Sequence, residues 1–266
     1  MKFDINGYSV AYEDIGQGPE VVFIHGFPLS RTMWGPQTGS LVASGYRVIT
    51  FDLPGFGESD PMPIEKMSDY AEVLVKLLQH LKVRKAVIAG MSMGGYILFE
   101  FMARYPQYFE AALLIVTRAE NDDLAAKAKR SELIQEVQGG NSEVVISAFE
   151  KILFGEKTNL NNPDLIHFVR GMMKQASSVG LVDGLNAMKN RMDRYHTLTG
   201  FAYPVWILTA DEDKAIPVSY SRDMEQALNH CRLDIIKGAG HMVNMEKSKE
   251  FNHLLLDFLG EIFALQ

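Results

Sequence analysis

The chain is poor in thiols. Its one cysteine is Cys231, so no intrachain disulfide can form. Cys231 opens the apolar run Arg232-Leu233-Asp234-Ile235-Ile236, where a buried structural thiol is expected rather than a nucleophile. Long hydrophobic runs are missing too: none approaches the roughly 18 residues that span a bilayer. The opening Met1-Lys2-Phe3-Asp4-Ile5-Asn6-Gly7 is too polar for a secretory signal. The default expectation is a cytoplasmic protein with no membrane partner. No basic tract is present either. Lys+Arg total 26 against 33 Asp+Glu, a net charge of −7, which argues against nucleic acid as a partner. A mildly acidic surface aids solubility and points to no particular ligand. Internal repeats, low-complexity tracts and an interdomain linker are also absent from the sequence.

What is there is a regular α/β rhythm. The 266 residues, 47% of them hydrophobic, suffice for one large domain or a domain with a small insert. Short apolar runs at 21–24, 47–51, 85–89, 111–116, 203–209 and 232–236 read as buried strands, with an antiparallel one at 8–13. Tyr70, Val73, Leu74, Leu77, Leu78 and Leu81 recur at helical spacing. From about 120 to 199 the strand rhythm stops, and the stretch is richer in Lys, Glu, Asn and Met. The economical reading is a helical insert between two core strands, with core segments at 1–119 and 200–266. A last helix is expected at about 247–264.

The chemistry concentrates at Gly90-Met91-Ser92-Met93-Gly94, a G-x-S-x-G pattern between a strand and the helical run Gly95-Tyr96-Ile97-Leu98-Phe99. A serine on such a turn is pushed into the open, and glycines flank it because side chains there would collide. A serine hydroxyl needs a histidine to take its proton and a carboxylate to orient that histidine. Of seven histidines, His241 in Gly238-Ala239-Gly240-His241-Met242 follows a strand and precedes the last helix, the end of a sheet where α/β proteins place their sites. His80, His167, His196, His230 and His253 fall in helical or helix-terminal patterns. The acid should follow the strand that resumes after the insert, where Asp211, Glu212 and Asp213 all stand; the residues alone do not choose among them. Met93 N–H and Phe27 N–H, the latter in His25-Gly26-Phe27-Pro28, are the candidate oxyanion donors.

These segments, with Asp52-Leu53-Pro54-Gly55-Phe56-Gly57-Glu58-Ser59 and in this order, resemble the α/β-hydrolase-fold serine hydrolases of the carboxylesterase and 3-oxoadipate enol-lactonase type. The resemblance covers about 7–117 and 203–263. It implies a mainly parallel eight-stranded sheet flanked by helices, with the insert as a helical cap over the pocket. The family's acid loop commonly reads G-x-x-D-x-x-x-P. Ala210 replaces its glycine, while Asp213 and Pro217 keep the spacing, so the resemblance implies Asp213 as the acid. Asp211 is the runner-up, and Glu120 or Asp122 stand where some relatives carry it. Asp52 and Ser59 belong to a family loop that is usually structural.

Family members that act as haloalkane dehalogenases or epoxide hydrolases carry aspartate at the elbow. Ser92 instead implies an acyl-enzyme and a small-molecule ester or lactone substrate, with no metal or organic cofactor needed. Cofactor-free perhydrolases and C–C bond hydrolases share the core, and a few relatives are non-catalytic receptors, which often lose a triad member. Candidate pocket residues are Phe27, Arg118, Phe149, Phe154 and Met242. Met172, Met173, Met188 and Met192 add flexible side chains to the insert, though most apolar residues there are expected to pack helix on helix. Arg118 stands at the core-to-insert junction, where a hinge salt bridge is the plainer role and a substrate carboxylate the sharper one. Whether the chain acts alone or as a homodimer is open at this stage.

Overall fold

The computed structural model describes residues 1–264; the last two residues of the expected core segment, 265–266, lie outside the described residues. Among the described residues, eight strands form one sheet: β1 (Lys2–Ile5), β2 (Tyr8–Ile15), β3 (Glu20–Ile24), β4 (Arg47–Phe51), β5 (Ala86–Met91), β6 (Phe109–Ile115), β7 (Val205–Ala210) and β8 (Cys231–Ile236). Their order is β1-β2-β4-β3-β5-β6-β7-β8. β1 pairs with β2 and β2 with β4 antiparallel, and every later pairing is parallel. β1 is the strand that the sequence pattern did not single out. It is four residues long, with Phe3 and Ile5 facing inward between exposed Lys2 and Asp4.

Helices cover both faces. α1 (Gly35–Ala43), α2 (Met67–His80) and α3 (Met93–Arg104) lie in the first half of the chain. Between β6 and β7 come α4 (Leu124–Gln138), α5 (Glu143–Leu153), α6 (Glu156–Asn161), α7 (Pro163–Met173), α8 (Ser178–Lys189) and α9 (Tyr195–Thr199). α10 (Val218–Ala227), α11 (Val243–Glu246) and α12 (Ser248–Ala264) complete the described chain.

The period-two alternation of the strands divides the core in two. Val22 and Ile24 of β3 join one cluster with Tyr70 and Leu74 of α2 and Phe101 of α3. Val21 and Phe23 join the other, with Leu41 of α1 and Phe251 and Leu255 of α12. A strand buried on both faces reads as a continuous apolar run, as β3 and β5 do.

The insert is helical because its turns carry start signals. Asp123, Asn162 and Ser177 each accept a hydrogen bond from the first turn of α4, α7 and α8, and Pro163 opens α7. Arg194 ties it to the core through a two-pronged pair with Glu100 of α3 at 2.8 and 2.7 Å, and within the insert buried Arg191 meets Asp122 at 2.7 Å.

Candidate active site

The strand order reverses between β3 and β5, which are neighbours while β4 lies on the far side of β3. Crevices at such switch points, beyond the carboxyl ends of the strands, are where open α/β sheets bind ligands. Phe27 follows β3 and Ser92 follows β5, so both meet there.

Ser92 sits between the last residue of β5 and the first of α3 with φ 54° and ψ −114°, a left-handed geometry that a non-glycine residue adopts only when its surroundings impose it. Those surroundings are visible. Ser92 N donates to Ile115 O at 3.0 Å, and Ser92 O accepts from Gly95 N, Tyr96 N and Thr117 Oγ1. The flanking glycines make room rather than the bend. A Cβ on Gly90 would lie 2.6 Å from Gly94 C, one on Gly94 2.8 Å from His25 O, and one on Gly95 2.5 Å from Thr117 Cβ. Gly26 likewise lacks a left-handed φ. A Cβ there would lie 3.3 Å from Met91 O, a tight contact that the neighbouring elbow would have to yield to slightly. Thr117 reaches under the elbow because Val116 turns the chain with φ 39°, an unusual conformation for a β-branched residue.

His241 follows β8 and Asp213 follows β7, the adjoining strand. His241 Nδ1 lies 2.7 Å from Asp213 Oδ2, with both side chains buried. The other oxygen, Oδ1, accepts from Ala215 N at 2.8 Å and Ile216 N at 3.0 Å. Two backbone donors therefore hold the carboxylate so that one oxygen faces the imidazole. Asp211 instead accepts from Gly238 N at 2.7 Å and Glu212 from Glu156 N at 2.6 Å. Of the three loop carboxylates, Asp213 is the one that meets His241. Asp122 is buried among arginines, and the Glu120 backbone carbonyl accepts from Arg191; neither is hydrogen-bonded to His241.

Met93 N heads α3 and has no intrahelical partner. Among the described residues neither Met93 N nor Phe27 N is hydrogen-bonded. Free backbone donors beside a serine are suited to an oxyanion. The β3 loop that carries Phe27 is anchored by His25, whose Nε2 accepts from Leu53 N at 2.9 Å while Nδ1 donates to Gly26 O at 2.8 Å. Burial pushes the His25 pKa down, which suits a neutral structural imidazole. Asp52 and Ser59 brace the neighbouring turn. Asp52 takes the Arg31 guanidinium, Arg31 N and Glu58 N, and Ser59 Oγ bridges Asp52 O and Ala11 N.

A cavity of about 360 Å³ opens over Ser92 and His241. Phe27 and Tyr96 line it from the core, and Leu133, Phe149, Ile152 and Met188 line it from the insert. The Phe27 and Phe149 rings meet edge on with centroids 5.0 Å apart, and Gly184 of α8 leaves the space the Phe27 ring occupies. Arg118 also lines the cavity. It donates to Asp122 at 2.8 Å and to Tyr220 Oη at 2.9 Å, so it serves as a junction ion pair and as cavity wall together.

Phe154 and Met242, expected in the pocket, do not line it. Both are fully buried in the second core cluster, where Met242 N donates to Leu153 O at 2.9 Å. Their apolar side chains pack the insert onto the His241 loop instead. Met172 and Met173 join the same cluster and Met192 is exposed, leaving Met188 as the methionine at the cavity. Sequence reasoning also missed Lys129, Arg130 and Lys214, which line the cavity; charges on a helix or a loop ordinarily signal a solvated face. Cys231 is half-buried, with its thiol pushed up to about 12 by burial, and it stands apart from the cavity.

The loop that carries His241 is tied to the insert. Glu246 accepts from Gly240 N at 2.8 Å and from Gly155 N at 2.9 Å, which couples the His241 loop to the α5–α6 junction. Among the described residues, no helix is long and apolar enough to cross a membrane.

The comparisons with known proteins agree with this architecture. A thermophilic esterase from Thermogutta terrifontis, solved with malate bound, superposes with a TM-score of 0.93 at 31% identity, over 96% of this chain and 94% of that one. A non-heme chloroperoxidase of Kitasatospora aureofaciens is 27% identical over 96% of this chain and 98% of its own. A 2-hydroxy-6-oxononadienedioate/2-hydroxy-6-oxononatrienedioate hydrolase of a Pseudomonas species is 26% identical over 97% and 93%. Residues 19–248 match the profile of the alpha/beta hydrolase fold, and the chain belongs to that family.

Proposed function

We propose that the protein is a serine hydrolase that cleaves small to medium carboxylic esters or lactones through an acyl-enzyme on Ser92. The observation that carries this reading is the 2.7 Å contact between His241 Nδ1 and Asp213 Oδ2 beside a serine held in the left-handed region. With Nδ1–H donated to the carboxylate, Nε2 of the imidazole is the free base. It takes the hydroxyl proton as Ser92 Oγ adds to the substrate carbonyl carbon. The carbonyl π pair moves to oxygen, and the N–H groups of Phe27 and Met93 donate to that oxyanion. Collapse breaks the bond to the leaving oxygen, which takes the proton from His241. Water then enters, His241 accepts its proton, and the same steps release the acid and restore Ser92.

The cavity size supports small to medium acyl groups over long-chain lipids, and the six helices between β6 and β7 act as its cap. The esterase likeness supports the ester reading. Turnover of p-nitrophenyl esters from acetate to decanoate, with Ser92→Ala alongside, tests it. The expected result is hydrolysis peaking at short or medium chains and abolished in the variant. Failure of a folded protein on every ester and lactone would reject the reading.

A second reading is favoured by the chloroperoxidase and dioate-hydrolase relatives. The same triad would serve perhydrolysis, with peroxide replacing water, or C–C bond hydrolysis. Peroxide-dependent halogenation and a dienone substrate separate these from ester cleavage.

A further inference from the structure

Resting on the hydrolase reading, we infer that the cavity selects substrates that carry a carboxylate at a distance from the scissile carbonyl. Four cationic side chains line it, Arg118, Lys129, Arg130 and Lys214, and among the described residues no Asp or Glu does. In a chain with a net charge of −7, a surplus of positive charge around the nucleophile is not the general character of the surface. The other cavity walls are mostly aromatic and aliphatic, so the two largely buried arginines count for more there than they would in water.

The two arginines are set deep, with side chains 15% and 17% exposed. Both hang on Asp122, which also receives Arg191, so three guanidinium groups share one buried carboxylate. Burial alone would push the Asp122 carboxyl up, but Arg130 and Arg191 outweigh it and hold it below its ordinary range. Glu120, whose carboxyl burial pushes up, also interacts electrostatically with Arg118. Arg118 spends both terminal nitrogens on Asp122 and Tyr220. Arg130 bonds Asp122 through Nε alone, which leaves its terminal nitrogens without a protein partner among the described residues. Lys214 is exposed, makes no ion pair among the described residues, and also lines a second pocket with Glu156, Asp211, Glu212 and Asp213. Lys129 pairs with Glu132 at an exposed position, where a screened pair is worth little.

Arg130 is therefore a largely buried donor with room for an anion, and exposed Lys214 adds positive charge to the same cavity. The apolar walls around Phe149 and Leu133 suit a short methylene spacer, which points to half-esters of short dicarboxylic acids or to carboxylate-bearing lactones and aryl esters. A planar guanidinium with two free nitrogens matches a carboxylate in geometry as well as charge.

The test uses matched pairs on the whole protein. p-Nitrophenyl hemiadipate is compared with p-nitrophenyl hexanoate, which places the charge on the acyl side. para-Acetoxybenzoate is compared with para-acetoxybenzamide, which places it on the leaving group. The expected result is a kcat/KM at least about tenfold higher for the anionic member of one pair, the size of one charge-assisted hydrogen bond. That ratio should fall toward one in Arg130→Gln, fall severalfold in Lys214→Gln, and shrink in about 0.5 M salt, where exposed charges are screened. Lys214 has no partner to lose, so its variant and the salt series carry the test if Arg130→Gln does not fold. Calorimetric binding of the same compounds to Ser92→Ala gives a readout independent of turnover. Hydrolysis of the neutral esters with no anionic preference would overturn this inference and leave the hydrolase reading standing. Absence of turnover, with tighter binding of the anionic compounds to Ser92→Ala, would overturn the hydrolase reading and leave the anion site. Equal binding and equal turnover within both pairs overturns the inference.

Discussion

Gly240 and Gly155 meet with no room for a side chain on either. A Cβ on Gly155 would lie 3.0 Å from Gly240 N, and one on Gly240 would lie 2.5 Å from the carbonyl carbon of Phe154. The glycine before His241 is thus pressed against the junction of α5 and α6, and Glu246 bonds both amides from below. The position of the imidazole and the seating of the insert are one structural fact.

Gly240→Ala follows directly. The methyl group must push the His241 loop away from the insert, and misplacement of a catalytic base by an ångström costs about 100-fold in rate. Overpacking of this kind also destabilises by about 1–3 kcal/mol. Steady-state kinetics on a p-nitrophenyl ester and a urea melt check the two effects. A variant with wild-type values in both would show that the contact is not needed.

Ser92 occupies a backbone conformation that favours glycine, with φ 54°. Such strain costs of order 1–3 kcal/mol, and the native fold carries it to hold the hydroxyl in the open. Ser92→Gly should lack hydrolytic activity and yet melt above Ser92→Ala, by about 1 kcal/mol in the unfolding free energy. Equal or lower stability of the glycine variant would mean that the elbow is relaxed.

Asp213 accepts two backbone N–H bonds on Oδ1 and presents Oδ2 to His241. In Asp213→Asn the amide oxygen can keep the backbone bonds while its NH₂ faces Nδ1, favouring the wrong imidazole tautomer. kcat should fall by about 10⁴ with little loss of stability, the effect expected when an orienting carboxylate is made neutral. A loss under tenfold would assign the orienting role to another group, with Asp211 the first alternative.

Much of the fold was legible because each site segment sits where an apolar run ends in a glycine-bearing turn, as at Ile88-Ala89-Gly90 and Gly238-Ala239-Gly240. Strand β1 was not, since four residues of alternating polarity carry little signal. The choice among Asp211, Glu212 and Asp213 needed the loop conformation, or the spacing that the family resemblance supplied. Pocket residues were the least legible. An apolar side chain in a cap helix looks the same in sequence whether it faces the cavity, as Phe149 does, or the second core, as Phe154 does. Arg130 eluded the reading for a similar reason. Its partner Asp122 lies eight positions away, beyond the spacing at which a helix pairs charges.

Asp122 gathers Arg118, Arg130 and Arg191, and removing its charge leaves guanidinium groups without an anion in a largely buried place. Asp122→Asn should destabilise by about 3 kcal/mol, the lower end for breaking a buried pair because two of the arginines are partly exposed. Its folded pKa is lowered, so its contribution is complete above the unfolded value of about 3.9. That contribution is lost as pH falls through the lower folded value. Acid melts should therefore show a shallower pH dependence below about pH 4 in the variant than in the wild type. Parallel acid limbs would contradict the assignment.

The central claim is that Ser92 is the nucleophile, and stoichiometric labelling with an alkyl fluorophosphonate tests it most directly. The account predicts one adduct per chain by intact mass, mapped to the peptide containing Ser92, forming in step with loss of ester hydrolysis and absent in Ser92→Ala. A folded, ester-hydrolysing protein that stays unlabelled, or that is labelled at another residue, would contradict it.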